Sequence, residues 1–413
     1  MSTLIKNANI IYPGHTFHGS TLDILVENGK ITKIASGIEN TGEFKEVNAQ
    51  SLMLFPALVD AQCTIGEPGF EYKEDLHSAA EAAKNGGFSV LMMLPNTNPV
   101  LDNRGQLEYL KQKTAGLGVN IKPYSNISKE GNGVDLSEMY DMHEGGAIAF
   151  SDGKRSINDV NLMKRALEYT QSFGGIVCNF PFDDRINPGA MVHESKQNIK
   201  LGIKSAPSIA EELMVNRDLY LQRYAGGALH LSTISTAGSV EILHEAKARG
   251  QKVSCSVALA NLLYTDASLE SFDTNYKTLP VLREVSDKQA LIEGLKSGVI
   301  DIIVTDHTPE NIENKDVEFD HASYGMTMIE TALSLINEHL IADLGWDVVI
   351  QRMAIAPRQC FNIALPDLSE GSAFEFTLFD PNHTWTYNKA SKASKSANTP
   401  VYNQALKGKV IRL

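Results

Sequence analysis

Polar and acidic residues gather where short apolar runs of this chain end. Thr305-Asp306-His307-Thr308-Pro309 closes the run that starts at Ile300, and Ser151-Asp152-Gly153 closes Gly146–Phe150. Asp60-Ala-Gln62-Cys63-Thr64 follows Leu52–Val59, and Pro95-Asn96-Thr-Asn-Pro99 follows Ser89–Leu94. A carboxylate at 306 or 152 reads first as a helix cap or an acceptor of backbone N–H groups; the sharper alternative is a metal-free acid/base pair. Without a cation between them, two such carboxylates repel or carry raised pKa values. Cysteines stand at 63, 178, 255 and 360 with no CxxC spacing, which fits no disulfide framework or zinc knuckle. Strand alternation turns Cys63 toward a helix layer and places Cys178 one layer below the site. Both read as small buried hydrophobes rather than soft-metal ligands. Among the histidines, His230 reads as a core residue, His307 as a local hydrogen-bonding group and His77 as part of a surface helix. His15 and His18 belong to the N-terminal strands.

The elements that would position these residues follow from the hydrophobic pattern. Asp23–Glu27 and Lys30–Ile34 flank Asn28-Gly29, the pair that a type I′ hairpin turn prefers. From residue 52 onward, continuously apolar runs of four to six residues alternate with helix-like stretches. Such runs indicate parallel strands buried on both faces. With 56–60 and a run near 119–124 included, about eight βα units emerge, which suits a closed barrel better than an open sheet. Strand character returns at Phe374–Asp380 and Lys407–Leu413. The expected architecture is an α/β (β/α)8 TIM-like barrel over 54–364, with a small composite β-sandwich from 1–53 and 365–413. The Lys/Ser-rich segment 388–398 reads as a mobile loop.

The 413 residues carry 37 Lys and Arg against 50 Asp and Glu, a formal charge of −13. Such a surface repels phosphate backbones and anionic membranes, so neither nucleic acid nor membrane is an expected partner. No apolar run reaches the roughly 18 to 20 residues of a membrane span, and the first residues lack a signal-peptide pattern. A cytoplasmic location is expected.

Five strings taken together carry a resemblance: Glu67–Asp75, Pro95–Pro99, Leu229–Thr236, Leu291–Asp301 and Thr305–Pro309. Nearly the whole chain resembles dihydroorotases of the bacterial type found also in multifunctional pyrimidine enzymes, within the zinc-dependent amidohydrolase superfamily. The resemblance implies a barrel with a terminal sandwich, which agrees with the pattern above. It also implies a binuclear zinc site that activates water, with a carboxylate shuttling the proton.

Carried over residue by residue, the resemblance places Gln62 and Thr64 where the family has a His-x-His pair. Phe180 and Thr233 stand where two further histidines belong. Asp152 keeps a metal-site carboxylate, Asp306 the proton-shuttle position and Asn96 a substrate-binding position, while Gly66 stands at a substrate-binding arginine. Zinc normally takes three or four ligands including His or Cys, so no metal cofactor is expected. These identities lean away from an enzyme. They favour a pseudoenzyme with an assembly role in pyrimidine biosynthesis, for example beside aspartate transcarbamoylase. The alternative is an active dihydroorotase, or a hydantoinase-like or allantoinase-like cyclic amidohydrolase with an atypical site, hydrolysing cyclic amide C–N bonds. A homodimer is an expectation from the superfamily.

Overall fold

The computed structural model describes every residue except 1, 41 and 43. Its N-terminal strands are β1 (Ser2–Ile10), β2 (Thr21–Glu27), β3 (Lys30–Ala35), β4 (Lys45–Asn48) and β5 (Met53–Pro56). Asn28 and Gly29 both take positive φ, at 51° and 74°, as a type I′ hairpin requires. β1 is the hub, antiparallel to β2 and parallel to β4 and β5. The C-terminal strands β15 (Phe376–Thr386) and β16 (Ala405–Ile411) extend the same sheet, because β15 pairs antiparallel with β5 through Pro56. Ile5, Ile10, Ile24, Leu54, Phe376 and Leu378 meet in one buried cluster, so both ends of the chain share a core.

At Ala57 the single apolar run leaves this sheet and enters the barrel. Its strands are β6 (Leu58–Cys63), β7 (Phe88–Met93), β8 (Asn120–Pro123) and β9 (Ile176–Asn179). A short parallel pair follows in an excursion, β10 (Val192–His193) and β11 (Ser205–Ala206). The ring then resumes with β12 (Ala228–Leu231), β13 (Val253–Ala258) and β14 (Ile302–Val304). Two parallel ladders run β6-β7-β8 and β14-β13-β12-β9. Isolated parallel bridges join them: Ser125 to Phe150, Phe150 to Val177, and Cys63 to His307. The expected strand at 146–150 is thus reduced to a bridge at Phe150, whose N–H donates to Ile176 (2.9 Å) and whose carbonyl accepts from Cys178 (2.7 Å). Glycines 145 and 146 shorten it by favouring a turn.

Val59, Ala61, Val90, Met92, Tyr124, Cys178, Ile302, Val304 and Phe361 form one buried cluster inside the ring. Cys63 and Cys255 belong instead to the larger cluster shared with the helices. Arg358, fully buried, ties barrel to sheet: its guanidinium donates to the carbonyls of Ala57 (2.7 Å) and Ala354 (2.8 Å) and to Glu375 (2.6 Å). Among the described residues no helix is long and apolar enough to cross a membrane.

The segment 388–398 is not the free loop its composition suggests. Ser394, Ser396 and Asn398 are buried. Backbone N–H groups of Ala393 and Ser394 donate to Glu330 (2.8 and 3.1 Å), and the Ser394 hydroxyl donates to Glu74. Asn398 donates to the Thr308 carbonyl (3.0 Å) and accepts from the Glu310 N–H (3.0 Å). Two buried carboxylates and an exposed barrel rim need donors, and this polar strap supplies them.

The seam between β6 and β14 is closed by Asp60, fully buried, which accepts from the Thr305 N–H (3.0 Å) and hydroxyl. Burial pushes its pKa up to about 7 despite these bonds and the nearby His307. A folded-state pKa above the unfolded value means that stability is whole below about pH 4 and is lost as pH rises toward 7. Asp60→Asn, which cannot titrate, is expected to gain on the parent chain by about 1 kcal/mol per pH unit between roughly pH 5 and 7. Urea midpoints at pH 5, 6, 7 and 8 test this; parallel pH profiles for the two chains would contradict it.

Candidate active site

Residues 62 and 64 at the end of β6 and residues 305–308 after β14 face one another across the seam. Thr64 donates its N–H to the His307 carbonyl (2.8 Å). The Gln62 amide donates to Asp306 Oδ1 (2.7 Å). The same oxygen holds the ammonium of Lys154 at 2.6 Å, and that ammonium also donates to the Leu279 carbonyl (2.7 Å). Phe180, buried, lies beneath it with its ring centroid 5.4 Å from Nζ. An aromatic face stabilises a desolvated cation, so the ring supports this charge. Lys154 and Asp306 keep 22% and 11% of their side chains exposed, enough to meet a ligand. Burial pulls the Lys154 pKa below its ordinary value, against the carboxylate that raises it.

Lys154, Asp306 and Leu279 line a cavity of about 390 Å³ with Thr64, Gly66, Asn96 and Thr278, within the usual range for small-molecule pockets. Phe70, Leu279, Tyr324, Met326 and Met328 give it apolar walls. A second ion pair lies on the wall, Lys73 to Glu310 at 2.7 Å. Asn96 is exposed toward the pocket and packs on Gly153. That glycine is obligatory, because its φ is +69° and a Cβ would lie 1.8 Å from Asn96 Oδ1. Gly66 is equally closed: a Cβ would lie 2.1 Å from the Phe70 carbonyl. No long side chain can project from 66, so the cations of this pocket come from Lys73 and Lys154.

Not every predicted site residue converges here. Asp152 is buried with its carboxylate turned into the 126–128 loop, accepting from Ile127 N–H (2.9 Å), Ser128 N–H (3.1 Å) and the Ser128 hydroxyl. Burial raises its pKa and these bonds oppose the rise. Thr233 is buried, off the pocket wall, with its hydroxyl unpartnered. His230 sits between the hydroxyls of Ser254 (2.8 Å) and Ser256 (3.2 Å), and burial drops its pKa to about 3. His307 accepts the Met328 N–H at Nδ1 (3.2 Å), and its Nε2 lies 3.6 Å from Glu74.

The residues present do not fit a zinc ion. Asp306 already holds an ammonium, Asp152 faces away, and Phe180 offers no donor. Among the described residues no group of three or more His, Cys, Asp or Glu could hold a metal, whereas zinc sites take three or four such ligands.

Residues 51–239 match the family model described as Dihydro-orotase-like. A protein named Dihydroorotase from Syntrophus aciditrophicus is 37% identical over 100% of this chain and 97% of its own length. Another so named, from Acetivibrio thermocellus, is 38% identical over 98% and 96%. The chain belongs to the dihydroorotase-like family. In structure it is similar to the L-hydantoinase (dihydropyrimidinase) of Arthrobacter aurescens, with TM-score 0.85, 21% identity and 98% and 93% of the two chains covered. The dihydropyrimidinase of Brevibacillus agri gives TM-score 0.82 at 18% identity, with 100% and 93% covered. Both likenesses show that the fold is shared.

These full-length relatives overturn the lean away from an enzyme. That expectation counted the histidines and took no account of Lys154, which the sequence places two residues after Asp152. Phe180, which stands where the resemblance expects a histidine, is the seat of this cation. The cue available was the appearance of a lysine at a strand end together with an aromatic residue on the next strand.

The coupling of Lys154 to Asp306 can be measured. The carboxylate raises the lysine's proton affinity, so Asp306→Asn lowers it further and enlarges the neutral amine fraction at pH 8. Acetylation of Lys154, followed by peptide mass spectrometry, is expected to run several-fold faster in Asp306→Asn. An unchanged or slower rate would show that the pair is not coupled.

Proposed function

We propose that this chain reversibly hydrolyses the amide C–N bond of a dihydroorotate-type ring, the reverse, ring-closing direction serving pyrimidine biosynthesis, with a lysine–aspartate pair at the reacting centre. One observation carries the reading: the Lys154–Asp306 pair sits at the C-terminal end of the barrel, where barrel enzymes place their chemistry. The full-length dihydroorotase relatives support the substrate class.

Asp306 Oδ1 is taken up by Gln62 and Lys154, which leaves Oδ2 to hold water. The water oxygen bonds to the amide carbon. Asp306 takes one of its protons and returns it to the ring nitrogen as the C–N bond breaks. The product carries a new carboxyl group, which releases the remaining proton at neutral pH. Lys154 faces the oxygen on which negative charge develops and stabilises it through a preorganised ammonium. Lys73, paired with Glu310, and Asn96 line the same cavity and would meet the ring's carboxylate in place of a side chain at 66. The apolar walls exclude bulk water, which strengthens both contacts.

The purified chain is expected to hydrolyse dihydroorotate with no loss on prior chelation. Lys154→Met and Asp306→Asn should each lower kcat/KM at least about 100-fold while circular dichroism stays unchanged. Hydantoin, dihydrouracil and allantoin assayed alongside fix the ring. Absence of turnover on all four, or turnover abolished by chelation and restored by zinc, would overturn the reading.

A further inference from the structure

The charged side chains that line the barrel-end cavity cancel. Lys73 and Lys154 bring positive charge, Asp306 and Glu310 negative charge. Lys154 is committed to Asp306 at 2.6 Å, so Lys73 is the cation left for an anionic ligand. Glu310 already holds it, with Oε1 2.7 Å from the Lys73 ammonium. The pair is shielded, because Lys73 keeps 21% of its side chain exposed and Glu310 only 9%. Two charges shielded from water couple more strongly than two on the surface. Both backbones are tied to the polar strap. The Ser396 hydroxyl donates to the Lys73 carbonyl (2.8 Å), and the Glu310 N–H donates to Asn398 (3.0 Å). The ammonium and its carboxylate are therefore held face to face on the cavity wall.

Glu310 keeps other partners when it gives up that ammonium. Its Oε2 accepts from the Asn314 amide (2.8 Å), on the short turn Ile312–Asn314. It also lines a second cavity, of about 670 Å³, together with Lys315. Lys315 is buried, and burial pulls its pKa down to about 8 while the Glu310 charge opposes the fall. A carboxylate released from Lys73 thus retains a hydrogen-bond donor and the field of another ammonium. A ligand carboxylate can then replace Glu310 on Lys73 without leaving a buried charge alone. A neutral ring makes no demand on Lys73 and leaves the pair intact. A carboxylated ring either breaks the pair or lies against a like charge, which is costly. Resting on the reading of this cavity as the ring's site, we infer that Glu310 is an internal competitor of the ligand. It occupies Lys73 in the free chain, yields that ammonium to a ring's carboxylate, and so sets the preference between carboxylated and neutral rings.

Orotate and uracil separate the two cases, since they share a ring and differ in the carboxylate. Neither contains the saturated amide that is hydrolysed, so binding is read apart from turnover. Isothermal titration of the full chain is expected to find orotate bound about 10-fold more tightly by Glu310→Gln than by the parent, with uracil changed less than about 2-fold. Lys73→Met combined with Glu310→Gln is expected to bind orotate no more tightly than the parent, because the gain needs the released ammonium. Circular dichroism and melting check the fold, and Glu310→Met, neutral and of similar length, repeats the test if the Gln variant does not fold. Orotate affinity that is unchanged or weaker in the neutral variants would overturn the inference. So would equal tightening of both rings, or a gain that survives the loss of Lys73. Dihydroorotate turnover is scored separately. Its absence beside a tightened orotate sinks the hydrolytic reading and leaves the role of Glu310 standing, while turnover with unchanged orotate affinity does the reverse.

Discussion

A buried carboxylate holds the first barrel strand to the last. Asp60 on β6 accepts both the N–H and the hydroxyl of Thr305, at the end of β14, and no solvent reaches it. The bond fixes the height of one strand against the other, so Gln62 and Thr64 arrive level with Asp306 and His307. Thr64 then continues the seam by donating to the His307 carbonyl. Between these two fixed residues the backbone of Asp306 is held at φ +53°, a region that costs a non-glycine residue about 1 kcal/mol or more. The seam sustains that conformation, and the conformation turns the carboxylate toward Gln62 and Lys154.

The surroundings of the seam follow one electrostatic rule: every buried charge is paired or hydrogen-bonded. Lys154 has Asp306, the Leu279 carbonyl and the face of Phe180. Glu74 is satisfied by Ser78, Ser394 and the Lys395 N–H. Glu330 takes the N–H groups of Ala393 and Ser394, the Asn85 amide and the Tyr387 hydroxyl. The strap is therefore polar because it lies against buried acids, although polarity is also what makes a segment read as solvated. Its small side chains let the backbone approach those carboxylates closely.

This distinction explains what the amino-acid pattern revealed. Periodicity located the barrel strands and the returning terminal strands because burial on two faces leaves a continuous apolar run. It located Asp306 and Asn96 because strand ends are visible as changes of pattern. The direction of a side chain after a strand end is not encoded in that way. Asp152 and Asp306 follow similar runs, yet one carboxylate is drawn into a loop by backbone N–H groups and the other toward the pocket by a lysine. Lys154 escaped notice because its partner lies 152 positions away, and no local rule joins them. The strap was misread for the same reason, since its partners Glu74 and Glu330 lie far from it in the chain.

The separation of the two aspartates bears directly on the chemistry. Two carboxylates sharing one small cavity would raise each other's pKa and favour a shared proton. Here the loop at 126–128 binds Asp152 and removes its charge from the cavity, so Asp306 faces an ammonium instead of a second anion. That exchange leaves the Asp306 carboxylate 2.6 Å from a cation, on the wall of the cavity where it can meet water. It also supports a protonated lysine, the form able to stabilise an oxyanion, even though burial works against that proton. Phe180 adds attraction for the cation without adding an anion that would compete for it. Removing Phe180, Asp306 or the inward turn of Asp152 would each disturb the same balance, which makes the proposed centre a property of the cluster and not of one residue.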